Sequence, residues 1–295
     1  MSTENKYWRD SSLGTPRDLE LSGGPLRVFE AGKGEPIVFV HGALVNANLW
    51  RKVVPILSPD FHCVTLDMPL GSHELPVPGA DLSPYGIADM IAEAVEALGL
   101  EQPTIVANDS GGGLTQIALG RHPELAGRVV LTSCDAYDNF PPTFFKVILA
   151  PARIPWLTGP LFSPLRIRAL RSAPFAFGWL MKSKLDPAQG DSFMRPVLTE
   201  KSIAKDFARF MKGFNPKFTL EAIERLRSYD RPVLIAWSRD DRFFPPAHAE
   251  RLASDIPGAR LEWIEDAYTF SMQDQPERLA ELVAGFVREP VAATP

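Results

Sequence analysis

Short apolar runs alternate with longer amphipathic ones at both ends of this chain. Runs rich in Val, Ile, Leu and Phe over 26–29, 36–40, 63–67, 104–107, 128–134, 232–237 and 261–264 predict strands. Apolar positions at helical spacing over 49–57, 84–98, 114–121, 247–253 and 277–287 predict helices. The strands are almost continuously apolar, so both faces of their sheet must be covered. That pattern belongs to parallel strands joined by crossover helices. Ligands of such sheets bind beyond the carboxyl ends of the strands. Residues at strand exits are therefore the candidates for chemistry.

The rhythm breaks over 139–228. This stretch holds Pro141, Pro142, Pro151, Pro155, Pro160, Pro164 and Pro174, with helical patches at 203–211 and 220–226. It predicts a helical insertion at 139–228 between two parts of one core, 1–138 and 229–295. Charge separates the two further. From 141 to 228 there are 15 Lys and Arg against 6 Asp and Glu, while the whole chain of 295 residues carries −5. Solvated helix faces account for such a surplus. Steering of an anionic substrate is the other reading.

Composition then narrows the classes. With 45% hydrophobic and 23% charged residues, the chain suits one large globular unit. The first ten residues are polar, and no apolar run is long enough to cross a bilayer. A cytoplasmic protein without a membrane partner is expected. The negative net charge argues against nucleic acid. Cys63 and Cys134 each fall in a predicted strand and read as buried free thiols of a reducing compartment. No Cys/His cluster has zinc spacing, and Gly111, Gly112 and Gly113 lack Walker or dinucleotide spacing. Neither metal nor cofactor is expected.

The run from Thr104 to Gly113 reads as strand, sharp turn, helix, with Asp109 and Ser110 side by side in the turn. It resembles the nucleophile elbow of the α/β-hydrolase family. The resemblance extends over 19–287. It implies an α/β fold with an eight-stranded, mostly parallel, doubly wound sheet, and a helical cap inserted over the active site. The elbow needs small residues two before and two after its tip. Asp109 is flanked so by Ala107 and Gly111, Ser110 by Asn108 and Gly112. Asn108 is the poorer fit, and His122-Pro123 falls in family register when Asp109 is at the tip. This choice resembles the Asp-nucleophile branch of haloalkane dehalogenases and epoxide hydrolases. The plainer reading makes Asp109 a helix N-cap.

The resemblance assigns the rest of the site. His41, Gly42, Ala43 and Leu44 are similar to the family's His-Gly turn, whose backbone near Ala43 would supply one oxyanion N–H, with Ser110 supplying the other. Asp241 falls at the acid position, and Asp135 and Asp138 follow the strand that bears a second acid position. The family's catalytic His lies in a D-x-G-H-F loop. Here that loop is Asp266 to Phe270, with Tyr268 in place of Gly and Thr269 in place of His. His73, in a loop opening on the same side, is the substitute base. His41, Leu44, Asp135, Tyr268 and Thr269 are expected around the pocket.

The missing His bears on mechanism. A serine without an adjacent base is a weak nucleophile. A carboxylate attacks unaided, but hydrolysis of the resulting ester needs a base for water. The family's Asp enzymes usually carry Trp after the nucleophile, where this chain has Ser110. Epoxide hydrolases use cap tyrosines, and 139–228 contains none; their turn usually reads H-G-x-P, where this chain has Leu44. The expectation is a hydrolase acting on a small hydrophobic substrate, with Asp109 as nucleophile or base. A cofactor-free lyase, isomerase or cyclase is the alternative, and a ligand-binding pseudoenzyme the third reading. Cap aromatics (Phe144, Phe145, Trp156, Phe162, Phe175, Phe177, Trp179) should leave an apolar pocket over Asp109. A monomer or homodimer is expected.

Overall fold

In the computed structural model, which describes residues 5–290, eight strands form one sheet: β1 (Thr15–Leu21), β2 (Gly24–Ala31), β3 (Glu35–Val40), β4 (Phe61–Leu66), β5 (Thr104–Asn108), β6 (Arg128–Cys134), β7 (Val233–Ser238) and β8 (Arg260–Ile264). Their order is β1-β2-β4-β3-β5-β6-β7-β8. β1 pairs antiparallel with β2, and β2 with β4; every later pairing is parallel. The central strands β3, β5, β6 and β7 are buried along most or all of their length, as their unbroken apolar runs require.

The helices are α1 (Val54–Leu57), α2 (Pro84–Ala97), α3 (Asp109–Arg121), α4 (Thr143–Ile148), α5 (Pro155–Phe162), α6 (Pro187–Thr199), α7 (Lys201–Gly213), α8 (Lys217–Leu226), α9 (Pro246–Asp255), α10 (Ser271–Asp274) and α11 (Pro276–Arg288). In α2, Ser83 accepts from the Gly86 N–H as N-cap, Pro84 opens the first turn, and Ile87, Ile91 and Ala94 form the buried stripe. α4 to α8 all lie between β6 and β7. In α7, Ile203, Phe207, Phe210 and Met211 bury one face.

Four local expectations differ from the structure. β1 has no counterpart among the predicted strands. It is an edge strand whose first positions are exposed or half-buried, and it carries Pro16, so its sequence lacks the apolar run of an inner strand. The helix expected over 49–57 is two short pieces, a 3₁₀ turn at Ala47–Trp50 and then α1, with Pro55 in the first turn of α1. The helix expected from Leu114 begins at Asp109, because Gly111, Gly112 and Gly113 are helical, not loop. Finally, α8 falls inside the expected 139–228 insertion but packs on α3 in the core's helical layer. Its Thr219 hydroxyl donates to the Tyr137 carbonyl at 2.5 Å.

Candidate active site

Asn108, at the end of β5, is extended, and the next residue, Asp109, sits at φ 54°. The chain turns sharply there and enters α3. A non-glycine residue at positive φ is uncommon, and Asp is among the few that tolerate it. The neighbours leave no room for side chains. A Cβ on Gly111 would collide with the His41 carbonyl, and one on Gly112 with Cys134. A Cβ on Gly42 would collide with the Asp109 carboxylate. The glycines are therefore demanded by close approach of the His-Gly turn and β6 to the elbow.

Asn108 itself is buried. Its Nδ2 lies 2.9 Å from Thr132 Oγ1, 3.1 Å from the Ser133 carbonyl and 2.9 Å from the Thr269 carbonyl. It ties the elbow to β6 and to the loop after β8. Sequence reasoning treated Asn108 only as a poor fit to a tight turn. Its hydrogen-bonding role had no local signal, since its partners lie 24 to 161 residues away.

Burial pushes the Asp109 carboxyl up to about 7, against the backbone N–H groups of Ser110 and Ala43, which favour the anion; the Asp241 charge adds to the rise. Those two N–H groups are the ones expected at an oxyanion site. Asp241 accepts at Oδ1 from the backbone N–H of Phe243 and of Phe244, both 2.8 Å, and from Thr269 Oγ1 at 3.2 Å. Its Oδ2 has no hydrogen-bond partner. Burial raises this carboxyl to about 6, and the Phe244 and Phe243 N–H groups with the Ser133 and Thr269 hydroxyls oppose the rise. Asp135 is fully buried with neither carboxyl oxygen hydrogen-bonded. Burial, then the Asp109 charge, lifts it well above the usual carboxylate range.

A cavity of about 120 Å³ opens above the elbow. Ala43, Leu44, Asp109 and Ser110 form its floor; Phe145, Phe162, Phe175, Phe177, Met194 and Phe214 are among the residues that enclose it from the insertion. Among the described residues, Asp109 and Ser110 are the only ones lining it with polar side chains. The expected apolar pocket over Asp109 is present. Of the cap aromatics named above, Phe145, Phe162, Phe175 and Phe177 line it. Phe144 and Trp179 stack in a cluster with Phe243 beside it, and Trp156 is exposed.

Several expected pocket residues do not line this cavity. His73 is buried with Nε2 3.5 Å from Asp206 Oδ2 of α7, and the Gly71 N–H points at its Nδ1 from 3.4 Å. It joins the loop after β4 to α7, and the cavity lies elsewhere. His41 is also spoken for. Met68 N–H donates to its Nε2 at 2.9 Å, so Nδ1 carries the proton and donates to the Gly42 carbonyl at 2.8 Å. Burial drives it down to about 4, and it stays neutral. Tyr268 turns outward, its hydroxyl accepting from Arg242 at 2.6 Å. Thr269 and Asp135 lie beneath the cavity rather than on its wall. Leu44 does line it, at φ 57°, with its N–H donating to the Leu70 carbonyl at 3.0 Å. Asp240, next to the acid position, pairs with Lys182 at the surface. Among the described residues no group of His, Cys, Asp and Glu is arranged to hold a metal ion.

The geometry has relatives. The sequence profile of the α/β-hydrolase fold family matches residues 35–276. The chain is 27% identical over 282 residues to a 2-hydroxymuconate semialdehyde hydrolase of a Pseudomonas strain, covering 94% of this chain and 95% of that protein. It is 26% identical over 260 residues to an uncharacterized hydrolase of Bacillus subtilis, covering 86% and 90%. The crystal structure of a haloalkane dehalogenase from Agrobacterium tumefaciens superposes with a TM-score of 0.78 at 21% identity, covering 95% of this chain and 99% of that one.

Proposed function

This chain belongs to the α/β-hydrolase fold family, and on that premise we propose that it hydrolyses a small, neutral, apolar substrate with Asp109 as the base that activates water. One observation carries the reading: a carboxyl raised to about 7 faces an apolar cavity beside the N–H groups of Ala43 and Ser110. A base titrating near the working pH combines a useful ionised fraction with a strong pull on the proton. Water between Asp109 and a bound carbonyl loses its proton to the carboxylate as its oxygen attacks the carbon. As Asp109 takes the proton it gives up the Ser110 and Ala43 N–H groups that bond its anion, and these then hold the oxyanion that forms. The proton then passes from Asp109 to the leaving group.

This route needs no histidine. A covalent ester on Asp109 would require a second base at the cavity, and no histidine lines it. The lining also lacks an indole or amide N–H side chain for a departing halide. It holds no cation, so a neutral substrate suits it better than an anionic one. The hydrolase names of full-length relatives support the reaction class. The same poised carboxyl also suits a non-hydrolytic proton transfer, as in a cofactor-free lyase or isomerase, and this is the second reading.

Turnover in oxygen-18 water separates the routes. A panel of apolar esters, ketones, epoxides and chloroalkanes supplies the substrates. Label in the product and none in the peptide bearing Asp109 is expected. Label in Asp109 would make it a nucleophile instead. Turnover with label in neither would establish the second reading, and no turnover with saturable binding would leave a ligand-binding protein.

A further inference from the structure

Of the large apolar side chains exposed among the described residues, Trp8, Ile56 and Leu220 are scattered singly, and the five most exposed lie close together in the sequence of the insertion. Among the described residues Trp156 is 74% exposed, Val147 70% and Ile167 60%, with Ile154 and Phe175 also exposed. No other large apolar side chain described is more exposed than these five. They fall within 147–175: Val147 on α4, Ile154 and Trp156 at the start of α5, Ile167 between 3₁₀ turns at Ser163–Arg166 and Arg168–Ser172, and Phe175 just beyond; with a further 3₁₀ turn at Ala150–Arg153 these elements pack successively on one another. Single exposed apolar residues are ordinary, but such a concentration marks a contact surface.

The charge of the same segment says what kind. From 141 to 185 there are seven Lys and Arg and no Asp or Glu. Arg168 and Arg171 pair with Asp191, and Lys182 with Asp240 and Asp266. Lys146, Arg153, Arg166 and Lys184 have no carboxylate partner among the described residues. Three of these unpaired cations directly precede an exposed apolar side chain: Lys146 before Val147, Arg153 before Ile154, Arg166 before Ile167. Cations adjoining apolar side chains match the boundary of an anionic bilayer, where acyl chains lie under phosphate groups. Trp156 adds the side chain best suited to that boundary. Phe175 is both exposed and part of the cavity lining, so this surface adjoins the cavity.

We propose that the 147–175 face of the insertion docks on anionic lipid membranes and takes the apolar substrate from them. The docking half stands on surface geometry alone; the substrate half rests on the function proposed above. No helix of the described residues is long and apolar enough to cross a membrane, and peripheral docking requires none.

Co-sedimentation of the full chain with vesicles tests this without turnover. Binding is expected to vesicles of equimolar phosphatidylcholine and phosphatidylglycerol, to be weak to phosphatidylcholine alone, and to fall with added salt. Each cation is worth roughly fivefold in partition, so combining Lys146→Gln, Arg153→Gln and Arg166→Gln should lower binding on the order of a hundredfold. Trp156→Ser alone should lower it about tenfold. None of these residues lines the cavity, so turnover of a dissolved substrate should be unchanged. Asp109→Asn, inactive under the proposed function, should still bind as the parent does. Absent binding, equal binding to both vesicle types, or full binding by the triple variant would overturn the proposal. So would a dimer in solution that Trp156→Ser dissociates, since the face would then belong to a second copy.

Discussion

Thr269 Oγ1 donates to Asp241 Oδ1 at 3.2 Å. Thr269 therefore meets Asp241 with a hydroxyl, which cannot take a proton near neutral pH. Thr269→Val preserves shape and removes the donor. It should destabilise the protein by about 1–2 kcal/mol, move the Asp241 titration upward from about 6, and leave kcat within a few-fold. Thermal unfolding and steady-state kinetics measure both. A hundredfold loss of kcat at unchanged Tm would place Thr269 in the chemistry itself.

Asp109→Asn should abolish turnover, by a factor on the order of 10³ or more, in a protein that folds. Ser110→Ala keeps the backbone N–H and should retain most of the activity. A fluorophosphonate should label Ser110 slowly or not at all, because no histidine lines the cavity beside it. Rapid stoichiometric labelling, with an active Asp109→Asn protein, would move the nucleophile to Ser110.

The raised carboxyl has two pH consequences. The ionised form of Asp109 is the base, so kcat/KM should fall about tenfold per pH unit below a midpoint near 7. A midpoint near 4 would mean that the Asp109 carboxyl is not raised by its burial, or that another group titrates in catalysis. Stability should move the other way. The carboxyl titrates at 3.8 in the unfolded chain and near 7 in the fold, so between those values the folded state holds the proton more tightly. Stability should therefore fall as pH rises through that window. Asp109→Asn removes this loss and should gain about 1–4 kcal/mol on the parent between pH 4 and pH 8. Equal pH dependence of Tm in both proteins would contradict the raised value.

What the sequence made legible follows from the range of the interactions involved. β3, β5, β6 and β7 announce themselves because burial on both faces forces unbroken apolar runs. The sequence places the glycines of the elbow, and the structure shows which backbone and side-chain atoms a Cβ there would meet. The same glycines hid the start of α3, since three in a row read locally as loop and only the contacts with His41, Cys134 and Asp135 explain them inside a helix. His73 read as the substitute base because its partner, Asp206, lies 133 residues away and leaves no local signal. Thr269 showed in the sequence as a missing base; that its hydroxyl would still reach Asp241 did not.

Leu44, in the loop after β3, and Leu70, in the loop after β4, meet each other. The Leu44 N–H donates to the Leu70 carbonyl at 3.0 Å, with Leu44 at φ 57°. Proline at position 44 is incompatible with both facts, since its ring fixes φ near −65° and it has no N–H. Leu44→Pro should therefore disturb the turn that presents the Ala43 N–H. A loss of about 3 kcal/mol in stability is expected, and kcat should fall by about 10²–10³, as when one oxyanion donor is removed. Leu44→Gly tolerates the positive φ and keeps the N–H, so it should spare the turn and alter only the cavity wall. If Leu44→Pro matched the parent in Tm and kcat while Leu44→Gly did not, the contribution of position 44 would be its side chain in the cavity, and the oxyanion role of this turn would fail.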